Sequence, residues 1–365
     1  MGNICRKILK CGKFTPICHT KYGLLLYRRE KLYLMDPETH SKTYVCDFPM
    51  ISNRKLLCFC DFTTRLMHLS VYCGIEVEGG ALIAANRGIY FLDFNEKHIT
   101  REHTFEAAGM MRPLQFYRIQ GIEGFQDEVV YGEYSGNSIL SPVKIWARTS
   151  EGCWVVRYEF PANTIRHIHS IVCDVYRQRV IICTGDLGEE VGIWCASDGF
   201  QRVARLFGGK QLYRACCARA YPEGVIFATD SPYDQNYLFE MVEESGEPIV
   251  RKIANLAGPV VFFANVGEKL VFATNVENDG RNRGLLGRYL SYNKGAGVLD
   301  WYVHLYQWAP LQGLSEIAKF KKDIWPMSAF GFGNIILPSG TCTRGIYFQP
   351  TAVSRYNEML CYIKL

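Results

Sequence analysis

The 365-residue chain has no run of eighteen apolar residues, so no transmembrane helix is expected. Its first residues, MGNICRKILKCGKF, are basic but lack the apolar stretch of a secretory signal. They carry Gly2 and Cys5 as a dual-acylation start would, with Arg6 where such starts place Ser or Thr. There is no Lys/Arg block, helix-turn-helix pattern or zinc-finger spacing, and the net charge is only +5, so no nucleic-acid partner is expected. No CxxC pair occurs among the fifteen cysteines: Cys58 and Cys60 flank one residue, and Cys216 and Cys217 are adjacent. An odd count, mostly inside apolar runs, suits small buried thiols in a reducing, cytoplasmic setting better than disulfides or structural zinc. A P-loop, a nucleophile elbow, HExxH, a dinucleotide fingerprint and a kinase signature are all missing, so no cofactor is expected. No helical stripe appears anywhere.

What is present, at 48% apolar and 21% charged, is globular composition rich in aromatic and β-branched residues with turns at short intervals. From Met111 the chain offers four short strands: RPLQFYRI, DEVVYGEY, PVKIWAR and CWVVRYEF. The pattern returns as IRHIHSIV, RVIICTGD, VGIWCAS and QRVARLF, then as YRACCARA, GVIFATD, NYLFEMV and PIVRKIA. GPVVFFA, KLVFATN, LGRYLSY and LDWYVHLY make another set. Upstream stand RLMHLSV, ALIAAN, GIYFLDF and HITREHTF, preceded by KFTPICHT, GLLLYR, KLYLMD and TYVCDF. A looser last set ends in NIILP, GIYFQ and YNEMLCYIKL. Four strands recurring at this spacing define an all-β chain, a single β-propeller domain spanning 1–365. The expected blades are 13–50, 64–107, 111–160, 164–207, 212–255, 257–309 and 314–365, seven in number, or six if the last is not a blade.

Two of the turns between third and fourth strands, RTSEGCW (148–154) and CASDGF (195–200), pair Ser or Asp with Gly and an aromatic, and ESGE at 244–247 is a shorter copy. They resemble degenerate Asp-boxes of the BNR-repeat, sialidase-like propellers, with Ser150 near the Asp position and the first box one residue short. That resemblance implies a propeller, and glycoside hydrolase activity on acidic sugars held by an arginine clamp beside a Tyr–Glu pair.

Stacking the repeats brings out candidate residues. Arg65, Arg112, Arg166 and Arg214 align at the start of successive first strands, and His68, Gln115, His169 and Cys217 follow three residues on. The second strand runs antiparallel, so its end lies beside the first strand's beginning. Those ends carry Arg87, Glu133, Tyr134, Asp186, Asp230 and Asn275, and Tyr213 precedes Arg214. An arginine-lined mouth therefore forms, with long polar loops on the same face.

Guanidinium forks suit carboxylate, sulfate or phosphate, although each could instead pair with Glu133, Asp186 or Asp230 of a neighbouring blade. His167 and His169 alternate with Ile168 and share one side of the strand; they could ligate a metal with His68, but nearby arginines would repel a cation, so none is expected. Substrate contacts are expected from Arg65, Arg87, Arg112, Arg166, Arg214, Tyr213, Asp230 and Asn275. Catalysis is expected from His167, His169, Glu133, Tyr134 and Asp186, with Glu189 and Glu190 as further acids or bases. The resulting expectation is a carbohydrate-active enzyme, a glycoside hydrolase or a polysaccharide lyase, acting on an acidic oligo- or polysaccharide such as an exopolysaccharide precursor. The alternative is a non-catalytic propeller binding an anionic glycan or a protein at the same face.

Overall fold

Apolar runs bounded by turns become strands, and second strands such as those at 80–85, 128–132 and 179–184 are buried along nearly their whole length. The structure is a computed structural model that describes residues 7–49, 71, 73–278 and 292–365. After the short strand β1 (Leu9–Lys10) come β2 (Thr15–Thr20), β3 (Gly23–Arg28), β4 (Lys31–Met35) and β5 (Lys42–Asp47). Next are β6 (Cys73–Val77), β7 (Gly80–Ala85), β8 (Gly88–Asp93) and β9 (His98–Thr104). The third sheet holds β10 (Tyr117–Ile119), β11 (Glu128–Gly132), β12 (Val143–Arg148) and β13 (Trp154–Phe160). The fourth holds β14 (Ile168–Asp174), β15 (Arg179–Thr184), β16 (Gly192–Ser197) and β17 (Arg202–Gly208). The fifth holds β18 (Ala215–Ala220), β19 (Val225–Thr229), β20 (Asn236–Glu244) and β21 (Glu247–Leu256). The sixth holds β22 (Val260–Val266), β23 (Lys269–Thr274), β24 (Tyr302–Ala309) and β25 (Gly313–Lys321). A one-turn helix, α1 (Met327–Phe330), leads to β26 (Asn334–Ile336), β27 (Gly345–Thr351) and β28 (Cys361–Lys364).

These strands form seven four-stranded sheets, six of them in simple sequential order, and the fold is a seven-bladed β-propeller. The seventh sheet is closed by the opposite end of the chain: β1 pairs antiparallel with β28 through Leu9–Tyr362 and Lys10–Cys361. The chain divides into two compact units. One comprises 1–84, 90–100 and 262–365; the other, 85–89 and 101–261, holds the third, fourth and fifth sheets.

Burial grades across each sheet. Second strands such as β7 (GALIAA) and β11 (EVVYG) are buried throughout, whereas fourth strands such as β9 (HITREHT) carry their charges into solvent. In the second unit, Ile119, Val130, Ile145, Ile168, Ile171 and Ile182 pack the third sheet against the fourth. A glycine permits this approach. A Cβ at Gly132 would stand 2.5 Å from Ile168 Cβ.

A second periodicity runs beneath the strands. In five sheets the ladder between third and fourth strands slips immediately before an aromatic: Tyr33, Trp146, Trp194, Phe239 and Tyr306. An extra residue on the fourth strand at that point is a β-bulge, which increases local twist. Its recurrence marks these five sheets as copies of one unit more clearly than any residue identity.

The structure moves three of the expected boundaries. β6 begins at Cys73, and RLMHLSV, expected as that sheet's first strand, lies outside the described residues except for Val71. LGRYLSY also lies outside them; LDWYVHLY supplies the third strand β24 rather than the fourth, and β25, expected to open the last blade, closes the sixth. The seventh sheet consequently starts at Asn334 and needs β1 as its fourth member. Strand spacing cannot reveal such a closure, because its pairing spans nearly the full chain.

Candidate functional site

Six of the expected residues meet inside the second unit. His167 precedes β14 and His169 lies within it, Asp186 follows β15, Arg214 precedes β18, Asp230 follows β19 and Tyr134 follows β11. First-strand beginnings and second-strand ends thus converge, as antiparallel pairing requires.

The histidines are held from the third sheet's side by one carbonyl and one phenol. His167 Nδ1 lies 2.8 Å from the Ser135 carbonyl, and Tyr117 Oη donates to the His169 carbonyl at 2.9 Å. A carbonyl only accepts, so His167 carries its proton on Nδ1 and, when neutral, turns the Nε2 lone pair inward. That Nε2 is 2.9 Å from His169 Nε2, and each of the two is 3.3 Å from Asp186 Oδ1. Arg214 Nη2 approaches the same Asp186 oxygen at 3.1 Å and Asp230 Oδ2 at 3.3 Å, and Cys216 Sγ donates to Asp230 at 3.3 Å. The ring of Tyr134 covers His167 with centroids 4.3 Å apart.

The histidine side chains are 5% and 1% exposed, that of Asp186 23%, so the carboxylate faces the open side. Burial pushes His169 down to about 4, against the opposing pull of Asp186. For Asp186 burial works upward, yet the proximity of His167 and His169 and the charge of Arg214 hold its carboxyl well below the usual range. Burial raises Asp230 to about 6, with Arg214 resisting. It also raises the Tyr134 phenol and the Cys216 thiol, so neither ionises readily.

One glycine sets the geometry. Gly185 has φ +76°, and a Cβ there would stand 1.9 Å from the Glu190 carbonyl oxygen. Its N–H donates to the His167 carbonyl at 3.1 Å, fixing Asp186 beside the imidazoles.

The alignment of arginines shifts by one residue. Gly185 N–H bonds the His167 carbonyl just as Asp230 N–H bonds that of Arg214, so Arg214 corresponds to His167 and not to Arg166. Arg166 instead forms a fork with Glu190, at 3.1 and 3.3 Å. The same shift makes Cys216, not Cys217, the counterpart of His169. Both are the extra residue of a bulge, between Ile168 and Ser170 in one sheet and Ala215 and Cys217 in the next.

The remaining expected residues are not part of this cluster. Glu133 is buried with both oxygens engaged, Oε2 by Lys144 N–H at 2.9 Å and Oε1 by Trp146 Nε1 at 3.1 Å. Tyr213 stacks on Phe207 at 5.1 Å. Arg112 Nη1 donates to the Pro113 carbonyl at 3.0 Å, and its guanidinium lies within electrostatic reach of Tyr134 at the edge of the cluster. Arg87 is exposed in the β7–β8 turn with φ +65°. Glu189 pairs with Arg205. Asn275 is buried in the other unit, and Arg65 and His68 lie outside the described residues. Sequence reasoning missed Cys216, the Ser135 carbonyl and Gln211, whose Nε2 donates to the Asp186 carbonyl at 2.7 Å. Only the bulges could have flagged Cys216, and bulges leave no residue signature there.

No protein-family model matches the chain, and no curated protein matches it. Among solved structures, the chain is similar to an oligogalacturonate lyase from Vibrio parahaemolyticus at 11% identity and TM-score 0.53, over 99% of this chain and 94% of that one. It is equally similar to the CNH domain of AfRom2, at 10% identity and TM-score 0.53, over 99% and 98%. A chain of the mitotic checkpoint complex matches at 7% identity and TM-score 0.53, over 100% and 93%. At these identities the likeness is one of fold, and the fold carries no single function.

Proposed function

We propose that the chain is a carbohydrate-active enzyme that cleaves an acidic, uronate- or sialate-like glycan at the cluster around Asp186 and Arg214. The observation that carries this reading is the convergence of two imidazoles, a guanidinium and an ionised carboxylate, with Asp186 on the open side. A hydrolase needs a protonated carboxyl within reach of the leaving oxygen and a second carboxylate opposite. Here Asp186 is held ionised, both oxygens of Glu133 are engaged and Asp230 is buried, which favours β-elimination. Elimination asks for a cation against the sugar carboxylate and an uncharged base, and Arg214 and the imidazoles are of those types. The oligogalacturonate lyase similarity fits this chemistry without establishing it. A cytoplasmic location belongs to the same proposal, supported by twelve described cysteines that are all free.

One observation favours a second reading, a non-catalytic propeller that binds an anionic glycan or a protein partner at this face. Arg166 and Arg214 are already paired with carboxylates. The test is incubation with a panel of acidic oligosaccharides, read by mass spectrometry. Products summing to the substrate mass indicate elimination, and a gain of one water indicates hydrolysis. Arg214→Ala should weaken binding under either reading, by about 10- to 100-fold if a two-point contact is lost. His169→Ala should abolish turnover with binding retained. Intact glycans across the whole panel would overturn the enzymatic reading.

A further inference from the structure

Three atoms able to ligate converge in the second unit: His167 Nε2, His169 Nε2 (once its proton is displaced) and Asp186 Oδ1, at mutual distances of 2.9, 3.3 and 3.3 Å. We propose that these three atoms form one face of a binding site for a divalent first-row transition metal such as Zn(II), Co(II), Mn(II) or Fe(II).

The triangle has the size of a ligand face. Metal–imidazole and metal–carboxylate bonds run at about 2.0–2.2 Å, so a cation equidistant from the three atoms would sit ~1 Å out of their plane with little movement of any ligand. Two imidazoles and one carboxylate are a donor set for first-row transition metals; calcium and magnesium take oxygen ligands. The outer partners of His167 and Asp186 have the form such sites use. His167 gives its Nδ1 proton to the Ser135 carbonyl at 2.8 Å, which leaves Nε2 as its donor atom, and Gln211 holds the Asp186 backbone at 2.7 Å.

Both imidazoles are buried; His169 Nδ1 has no hydrogen-bond partner among the described residues, so Nε2 is that ring's engaged nitrogen and this ring, unlike His167, lacks an outer acceptor for its other N–H. One proton between the two imidazoles bridges a single edge of the triangle; a metal satisfies all three corners. The bulge at His169 explains how an HxH segment delivers both rings to one point.

Positive charge nearby is the objection, and the ion pairs meet it. Arg166 is turned to Glu190, and Arg214 is shared between Asp186 and Asp230, so two carboxylates face one guanidinium beside the site. The open side of Asp186, at 23% exposure, leaves room for solvent or ligand to complete the coordination.

This inference does not depend on the glycan reading. A metal held by the two Nε2 lone pairs would withdraw them from proton transfer, so the two are tested separately, this one without sugar. The full chain is stripped with a chelator and titrated with Co(II), followed by visible absorption, and with Zn(II), followed by calorimetry. One equivalent should bind, with d–d bands of nitrogen and oxygen ligation. His169→Ala and Asp186→Asn, with folding checked by circular dichroism, should each weaken binding by about 100-fold or more. His98→Asn, which removes an exposed imidazole elsewhere, should change nothing. Failure to bind one equivalent overturns the site, as does binding that survives in both ligand variants. Should His169→Ala unfold, Asp186→Asn decides alone, because it keeps the size of the side chain.

Discussion

At the scale of single residues, a charged side chain in a strand run is decided by its partner. Glu133, which the repeat alignment presents as a catalytic carboxylate, instead satisfies the Lys144 N–H and the Trp146 indole inside its own sheet. Glu133→Ala would leave two donors without an acceptor, and it should cost about 2–4 kcal/mol of stability by urea denaturation. Glu133→Gln, which keeps one acceptor, should cost less. His19 of β2 illustrates a second residue-scale effect, since burial pushes its imidazole from 6.5 down to about 4. A folded-state value below the unfolded one means that the unfolded chain takes up the proton first. Its stabilising share is therefore full above pH 6.5 and is lost as pH falls toward 4. Thermal melts of His19→Asn should accordingly show a shallower fall across that window than wild type does.

At the scale of elements, the site depends on backbone features that hold one sheet against the next. Gly185 takes a positive φ against the Glu190 carbonyl, and its N–H ties the end of β15 to the start of β14. Gly185→Ala should destabilise by ~2 kcal/mol or more and displace Asp186, with loss of turnover and metal binding together. Gly132→Ala, on β11, should act through packing instead, because the new methyl would press on Ile168 between the two histidines. In that variant the expected sign is reduced stability with the backbone of the site intact, checked by comparing denaturation midpoints with Co(II) spectra. The bulges belong to this scale too. They turn His169 and Cys216 to their partners while the apolar residues around them keep their places in the core.

At the scale of the molecule, one pairing joins the two ends of the chain. Leu9 and Lys10 pair with β28, and the bonds Cys11 N–H to Leu360 O (2.7 Å) and Leu360 N–H to Gly12 O (2.8 Å) extend the contact. Removing residues 1–12 should expose the β28 edge and cost about 2 kcal/mol in lost hydrogen bonds. Light scattering on warming should show earlier aggregation than for the intact chain. An unchanged onset would mean that β1 does not protect this edge.

Fold class, most strand positions and six of the residues that gather in the second unit were legible along the chain. Those follow from local causes: apolar runs of strand length, turn residues between them, and antiparallel order, which brings second-strand ends to first-strand beginnings. Which side chains face each other emerged in the folded chain alone. The one-residue shift that sets Arg214 opposite His167 arises at bulges, where period-two alternation breaks without any marker in residue type. Arg166 turned to Glu190, and Glu133 to Trp146, because ion pairs and hydrogen bonds are chosen by distance in space, and the competing partners are near in the folded chain but indistinguishable along it. The closure of the seventh sheet by Leu9 and Lys10 has the same origin, since a strand pair more than 350 residues apart exists only once everything between them has folded.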